Sequence, residues 1–400
     1  MLVPDRCLLL TGATGFVGMA VLARLVEHTD HHVACLVRAR DDADAEARLR
    51  VVREAVFGDR EANAARMTAL AGDLTQPRLG LGERHDAVAA RVRSIVHSAA
   101  SVAFDLPLDD ARAINVTGTE RVLALAAAAG GLERLTYVST AYVAGERRGT
   151  AREDHLDPDA RFRNAYERSK AEAEARVAAH RGELPVTVVR PSIVVGESTT
   201  GWTAAFNVLY PPLRAFAAGA YPVLPARRRA PVDVVPVDFV ADAICALHEH
   251  PEAAGGTFHA VAGRAASSVG ELVAMGARRF GQRGPRLVPP RVYRSVVAPL
   301  VRRRGASSVR RVLDRSAIYF PYFSMRVRFD DARARSLLEP LGIAPPPLRE
   351  YFDRLVDFAE AARWGRRPLG RAGAAAASPA TDARRPAHAA RGRAVRLPAG

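Results

Sequence analysis

Thr11-Gly12-Ala13-Thr14-Gly15-Phe16-Val17-Gly18 follows the apolar run Cys7-Leu8-Leu9-Leu10 and opens a stretch of helical periodicity that ends near His28. Strand, glycine loop and helix stand in the order that a phosphate-binding turn needs. Gly12 permits a tight turn, Gly15 lets the backbone approach a pyrophosphate, and Gly18 lets helix and strand pack closely. The helix N-terminus then offers free N–H groups and a favourable dipole to an anion. Thr11, Gly12, Thr14, Gly15, Phe16, Val17 and Gly18 are therefore candidate dinucleotide contacts. A purely structural turn is the competing reading.

Working outward, strand and helix signals alternate. HVACLV, MTALAGDL, SIVHSAA, RLTYVST and VTVVRPS read as strands. Helical stretches lie between them at roughly 44–57, 109–129 and 164–180, and another follows at 237–250. This alternation implies βαβ units and a parallel sheet. The expected fold is α/β: a Rossmann-type doubly wound parallel sheet with a smaller, mostly helical C-terminal lobe. The domain reading is a dinucleotide-binding unit over 1–260, with substrate-lobe insertions at about 197–232, a C-terminal substrate lobe over 261–365, and a disordered basic tail over 366–400. The tail carries eight arginines against one aspartate and almost no large apolar side chains. Such a composition buries too little surface to offset its ordering entropy.

Composition narrows the function classes. With 400 residues and 48% hydrophobic content the chain can build a large core without disulfides or metals. Cys7, Cys35 and Cys245 are odd in number and form no CxxC, so a disulfide framework or zinc site is not expected. Histidines at 28, 31, 32, 248 and 250 lie near predicted helix ends without acidic or cysteine partners at ligand spacing, and no metal is expected. No apolar run approaches about 18 residues, the length of a membrane span. A reducing cytosol is the expected setting, with peripheral contact at the inner membrane face left open. Of the net charge of +15, +7 lies in the tail, and no nucleic-acid-reading module is present, so specific nucleic-acid binding is not expected. From Pro285 to Leu313 the chain has eight arginines and no acid, a segment suited to CoA phosphates, an acidic carrier protein or an anionic membrane. Nothing in the sequence sets an oligomeric state.

At the end of the second strand signal stands Arg38. An acid there would accept hydrogen bonds from a ribose 2′-hydroxyl, whereas arginine suits a 2′-phosphate. Arg38 argues for NADP(H), with Arg48 a weaker second phosphate ligand. After the fourth strand, the small residues Ser98, Ala99 and Ala100 would let a dinucleotide lie against the backbone.

All but one of the 58 basic residues are arginine, and the one lysine is Lys170. It stands four after Tyr166, which chance alone would give roughly 2% of the time with nine tyrosines. Residues four apart share a helix face, so phenol and ammonium point the same way. A free tyrosine titrates near pH 10, and a neighbouring ammonium should lower that value. Tyr166 would donate a proton to an oxygen as hydride reaches the attached carbon.

The motifs LLTGATGFVG, LVR, GDLTQPRLGL, IVHSAASVAFDLPLDDARAINVTGT, YVSTAYVAG, YERSK, VRPSIVVGES and VDVVPVDFVADAI occur in this order over about residues 5–260. As a set they resemble the extended short-chain dehydrogenase/reductases, and within them the fatty acyl-CoA reductase and thioester reductase group of male-sterility type. The resemblance implies that Thr140, five before Gly145, is the active-site hydroxyl, with Ser139 as runner-up. It implies that Asp73 meets an adenine amino group with Leu74 beside it, a helix cap being the alternative. It further implies that Asn115 steadies the strand ends, and that Pro191 and Ile193 lie beside the nicotinamide. The implied reaction is NADPH-dependent reduction of an acyl thioester, on CoA or a carrier protein, to an aldehyde or alcohol. No adenylation or carrier segment is recognised ahead of the glycine loop, so the expected substrate arrives on free CoA or a separate carrier. The C-terminal lobe matches no motif of the group.

A hydroxysteroid dehydrogenase, a nucleotide-sugar epimerase or dehydratase, and a non-catalytic NADP-binding sensor are the alternatives. The aromatic positions Trp202, Phe206, Tyr210 and Phe216, together with AIYFPYF at 317–323, would line an acyl channel or pack in a core.

Overall fold

A computed structural model describes residues 3–304 and 307–377. Seven strands form the central sheet. In chain order they are β1 (Cys7–Thr11), β2 (Val33–Arg38), β3 (Met67–Gly72), β4 (Val92–His97), β5 (Arg134–Val138), β6 (Val186–Pro191) and β7 (Thr257–Ala260). Their spatial order is β7-β6-β5-β4-β1-β2-β3, and every pairing is parallel. The residues explain this. β1, β3 and β5 to β7 are buried along their whole length, as strands covered on both faces by helices must be. Leu8 pairs with Val33 on one side and with Ser94 on the other. The chain leaves β1 toward β2 and β3, then returns to add β4 on the opposite flank. A crevice therefore opens at the carboxyl ends of β1 and β4, where ligands bind in such sheets.

The helix Phe16–His28 packs against Val237–Glu249 on one face of the sheet. Helix Asp42–Phe57 starts two residues earlier than expected, because Asp41 caps it by accepting from the Asp44 N–H at 2.8 Å. The stretch near 109–129 is helical but broken by a π turn, Ala113–Thr117, which carries Asn115. Helix Ala165–Ala179 is capped by Asn164, which accepts from the Glu167 N–H at 2.9 Å.

A second apolar cluster lies beyond the carboxyl edge of the sheet. It joins Leu213, Leu224, Met325, Phe329, Tyr351 and Phe352, so the lobe draws on segments from both sides of β7. The lobe is less purely helical than expected. Strand Arg326–Phe329 pairs in parallel with Arg148–Ala151, and Arg286–Val288 with Val223–Pro225.

The segment expected to begin a free tail at Arg366 is instead docked as far as Ala374. Leu369 packs on the main core and its carbonyl accepts from Trp202 Nε1 at 3.2 Å. Arg371 bridges Glu197 at 2.5 Å and Glu27 at 2.9 Å, and Ala374 is buried. Two anchoring side chains hold what average composition counts as unanchored. Residues 378–400 of the expected tail lie outside the described residues.

Candidate active site

The glycine loop turns where its backbone demands it. Gly12 has φ +81°, and a Cβ there would stand 2.6 Å from the Ala99 nitrogen. The end of β1 is thereby pressed against the segment after β4. A buried hydrogen-bond chain locks the two together. Thr11 Oγ1 accepts from the Ala99 N–H at 3.2 Å and donates to His97 Nδ1 at 2.7 Å. His97 Nε2 then donates to Thr119 Oγ1 at 3.0 Å, since the Thr119 hydroxyl donates to the Asn115 carbonyl at 2.6 Å. Burial pulls the His97 imidazole down to about 3, so it stays neutral and sets the loop ends rather than moving protons.

A cleft of about 430 Å³ runs along this edge. Its wall brings together the candidate nucleotide contacts from Thr11 to Gly18, the candidates at both strand ends, and Thr140, Tyr166 and Lys170, but not Arg48 or Asn115. At one end stand Arg38, Asp73 and Leu74; the loop from Thr11 to Gly18 lies in the middle, facing Ser98, Ala99 and Ala100. At the other end stand Thr140, Tyr166, Lys170, Pro191 and Ile193. Arg38 is exposed and makes no ion pair among the described residues. Arg48 is elsewhere, paired with Asp44 at 3.2 Å across one helical turn. Asp73 Oδ1 is engaged locally, accepting from the N–H and the hydroxyl of Thr75, both at 2.8 Å. The residue set fits a dinucleotide with a 2′-phosphate: a glycine-lined backbone floor, small side chains opposite it, and an arginine in place of an acid after β2.

Tyr166 and Lys170 sit on helix Ala165–Ala179, packed under the ends of β5 and β6. Lys170 is buried, and its Nζ donates to Tyr137 Oη at 2.7 Å and to the Val138 carbonyl at 2.8 Å. Burial pulls this ammonium down to about 7, against the pull of the Glu174 carboxylate. The expected lowering of the Tyr166 phenol is not found. Burial pushes it up to about 12, and only the Thr140 hydroxyl, hydrogen-bonded to it, acts in the other direction. The ammonium gives its hydrogen bonds to Tyr137 and a backbone carbonyl rather than to the phenol itself.

The two hydroxyl candidates differ in what they touch. Ser139 Oγ donates to Glu174 Oε2 at 2.5 Å, and Glu174 is in turn paired with Arg190 in a buried ion pair. Thr140 caps the short turn Ala141–Ala144, accepting from the Tyr142 N–H at 3.3 Å, and faces Tyr166. Asn115 holds both sides of the site. Its Oδ1 accepts from the Ser101 N–H at 2.8 Å, and its Nδ2 donates to Ser169 Oγ at 2.9 Å, on the helix of Tyr166.

Beyond Tyr166 the wall becomes aromatic. Phe104 stacks on Tyr166 with centroids 5.8 Å apart and on Tyr322 at 5.4 Å. Tyr322 donates to Glu167 Oε1 at 2.7 Å and accepts from Asn164 Nδ2 at 2.8 Å, which fixes the lobe to the start of helix Ala165–Ala179. Of the aromatic positions named from the sequence, Tyr322 reaches the cleft. Trp202, Phe206, Tyr210 and Phe216 pack elsewhere: Trp202 on Phe16, Phe206 on Tyr210 and Phe358, and Phe216 on Phe280. Phe104 and Tyr137 were not singled out. Tyr137 does carry a signal, a hydroxyl within a strand otherwise fully buried.

Among the described residues no group of three His, Cys, Asp or Glu is placed to hold a metal ion, and no helix is long and apolar enough to cross a membrane.

Comparison with known proteins agrees with this geometry. The chain is 39% identical over 253 residues to the isonitrile lipopeptide synthase of Streptomyces coeruleorubidus, which covers 61% of this chain and 16% of that protein. It is 33% identical over 291 residues to the carboxylic acid reductase of Mycobacterium tuberculosis, covering 64% of this chain and 24% of that protein. The chain thus spans only a small part of these relatives. Among solved structures, the terminal R domain of the myxalamid PKS-NRPS pathway superposes with a TM-score of 0.78 at 28% identity, covering 92% of this chain and 94% of that one. That overlap extends past residue 260, so the lobe that matches no sequence motif shares the R domain's fold. The family model described as "Male sterility protein", an NAD-binding family, matches residues 10–244, more than half the chain. The chain therefore belongs to the male sterility family of nicotinamide-dependent, extended short-chain oxidoreductases.

Proposed function

We propose that this protein reduces a carrier-bound or CoA-bound acyl thioester with NADPH, releasing a thiol and an aldehyde. The observation that carries the reading is the cleft itself: phosphate loop, unpaired Arg38, the Thr140–Tyr166 hydroxyl pair and a buried lysine on one wall, ending in an aromatic pocket. The relatives named above, a lipopeptide synthase and a carboxylic acid reductase, support the thioester as substrate class.

In this reading the loop from Gly12 to Gly18 and the N-terminus of helix Phe16–His28 hold the pyrophosphate. Arg38 pairs with the 2′-phosphate. Bound NADPH supplies the hydride. Thr140 and Tyr166 both address the thioester carbonyl oxygen, where negative charge develops. Tyr166 gives its proton to that oxygen, completing a hemithioacetal on the substrate. Its phenolate then takes the hydroxyl proton back as the carbon–sulfur bond breaks, and the departing thiolate takes a proton from water. Products are one aldehyde and one thiol per hydride. A second round on the aldehyde gives an alcohol, with Tyr166 again the proton donor. Lys170, when charged, stabilises the transient phenolate from beneath.

The test is a panel of acyl-CoA and acyl-carrier thioesters incubated with NADPH, with thiol and carbonyl products quantified. Thiol release matched to NADPH oxidation is expected. Turnover of a hydroxysteroid or a nucleotide sugar with no thioester turnover would overturn the assignment.

A further inference from the structure

Beside the mouth of the cleft, four arginines from distant parts of the chain gather without acids. Strand Arg326–Phe329 pairs with Arg148–Ala151 in a register that sets Arg326 opposite Arg148. The Arg227 N–H donates to the Phe323 carbonyl at 3.1 Å, three residues before Arg326. The guanidinium groups of Arg227, Arg148 and Arg291 together hold that of Arg326 below its ordinary value. All four side chains are exposed, and none has a carboxylate at ion-pair distance among the described residues. Other arginines near the surface are held by acids, as Arg112 is by Glu172 and Arg279 by Asp357, though Arg38 too is unpaired among the described residues. Like charges set opposite one another on neighbouring strands destabilise the pair. The fold bears that cost with no carboxylate among the described residues to offset it.

Arg291 also introduces an apolar stripe. The helical run made of Pro290–Val292, Tyr293–Val297 and Ala298–Arg304 exposes Val292, Val296 and Leu300 at 45%, 59% and 52%. They recur every four residues, so they share one side of the helix. An apolar centre rimmed by charge is the anatomy of a protein-binding surface. Its place matters too. Arg326 follows closely on Tyr322, the residue of Ala317–Ser324 that lines the cleft and stacks on Phe104 beside Tyr166. A body seated on the arginines therefore lies next to the substrate end of the cleft.

We propose that Arg148, Arg227, Arg291 and Arg326, with the stripe of Val292, Val296 and Leu300, form the docking surface for an acidic carrier domain that brings the acyl thioester on a covalent arm. This deepens the reading above and rests on it. A membrane is the poorer occupant. The arginines come from four separate segments rather than the polar face of one helix, and the apolar part is two valines and a leucine, without the aromatic anchors typical of interfacial helices.

The test uses the full chain and one acyl group presented two ways, on an acidic acyl carrier protein and on N-acetylcysteamine. Charge reversal in the double variant Arg148→Glu/Arg326→Glu should raise KM for the carrier-bound substrate by about tenfold or more, because complementary charge governs such encounters. Kinetics with the small thioester should stay within about twofold, since a charge on the rim leaves the cleft chemistry alone. Val296→Glu, on an exposed helix face, should act the same way and guards against a folding defect in the strand variant. Equal changes on both substrates, or none on the carrier-bound one, would overturn the docking surface. So would loss of binding to phosphatidylglycerol vesicles with carrier kinetics intact. If the wild-type chain reduces neither substrate, the proposed reaction fails. The docking claim is then read from carrier binding by fluorescence anisotropy, which should weaken in both variants; unchanged binding would refute it.

Discussion

The two ends of the cleft are built from different materials. The nucleotide end is mostly backbone: Gly12 at φ +81° pressed on Ala99, small residues after β4, and one arginine after β2. The substrate end is made of side chains gathered from distant segments, with Phe104, Tyr142, Val208 and Tyr322 meeting around Tyr166. A backbone cradle follows from local sequence order. An aromatic wall follows only from how the lobe folds back. The difference separates holding a dinucleotide, set by backbone, from the shape offered to a substrate, set by side chains.

Substitutions at the two ends should therefore fail in different ways. The largest effect belongs at the junction. Tyr166→Phe should lower kcat by about 10²- to 10⁴-fold, the usual worth of a positioned proton donor, while NADPH affinity by fluorescence titration changes little. A loss of both together would merge the two ends into one functional unit.

The pH dependence sharpens the same boundary. Lys170 sits at about 7 and Tyr166 at about 12, both through burial. As pH rises through 7 the ammonium is lost while the phenol keeps its proton. The rate should therefore fall above about pH 7 by up to tenfold per unit, through weaker stabilisation of the phenolate. A rate that holds level to pH 10 would remove Lys170 from the chemistry. The sign for stability is opposite. Folding lowers this lysine's value, so the burial penalty is present in full below about 7 and is relieved as pH rises toward the unfolded value near 10.4.

At the nucleotide end, Arg38→Ala should raise the NADPH Kd by about 10- to 100-fold, the worth of a charge-assisted pair, and leave the NADH Kd nearly unchanged. Equal weakening of both would mean that Arg38 does not meet a 2′-phosphate. The smallest effect lies far from the cleft. Arg371→Ala removes bridges to Glu197 and Glu27 and should cost about 1–2 kcal/mol in denaturant titrations, with kinetics unchanged. No change in the unfolding midpoint would mean that the docked segment is not held by this arginine.

The parallel sheet and the gathering of the glycine loop, Tyr166 and Lys170 along one cleft were legible in the sequence, because both depend on short-range order: apolar runs, glycines at fixed spacing, and a tyrosine four before the chain's single lysine. Gly12 had to be glycine for its φ, and that shows in eight residues. What was not legible depended on distant contacts. Trp202, Phe206, Tyr210 and Phe216 form a stripe by spacing, yet each finds its partner in other segments, so spacing could not tell channel from core. The Tyr166 phenol was expected to be lowered by its lysine. Helix spacing places both on one face, but Tyr137, a strand away, takes the ammonium. The segment after Arg366 looked unanchored because composition averages hide single anchors such as Leu369 and Arg371.

The central claim is that hydride reaches a thioester carbon while Tyr166 protonates its oxygen. The most direct measurement uses NADPH carrying deuterium at the transferred C4 position with an acyl thioester, following label and free thiol together. One deuterium on C1 of the aldehyde and one thiol released per NADPH oxidised are expected, with both lost in Tyr166→Phe. NADPH oxidation without thiol release, or a C1 free of label, would contradict it.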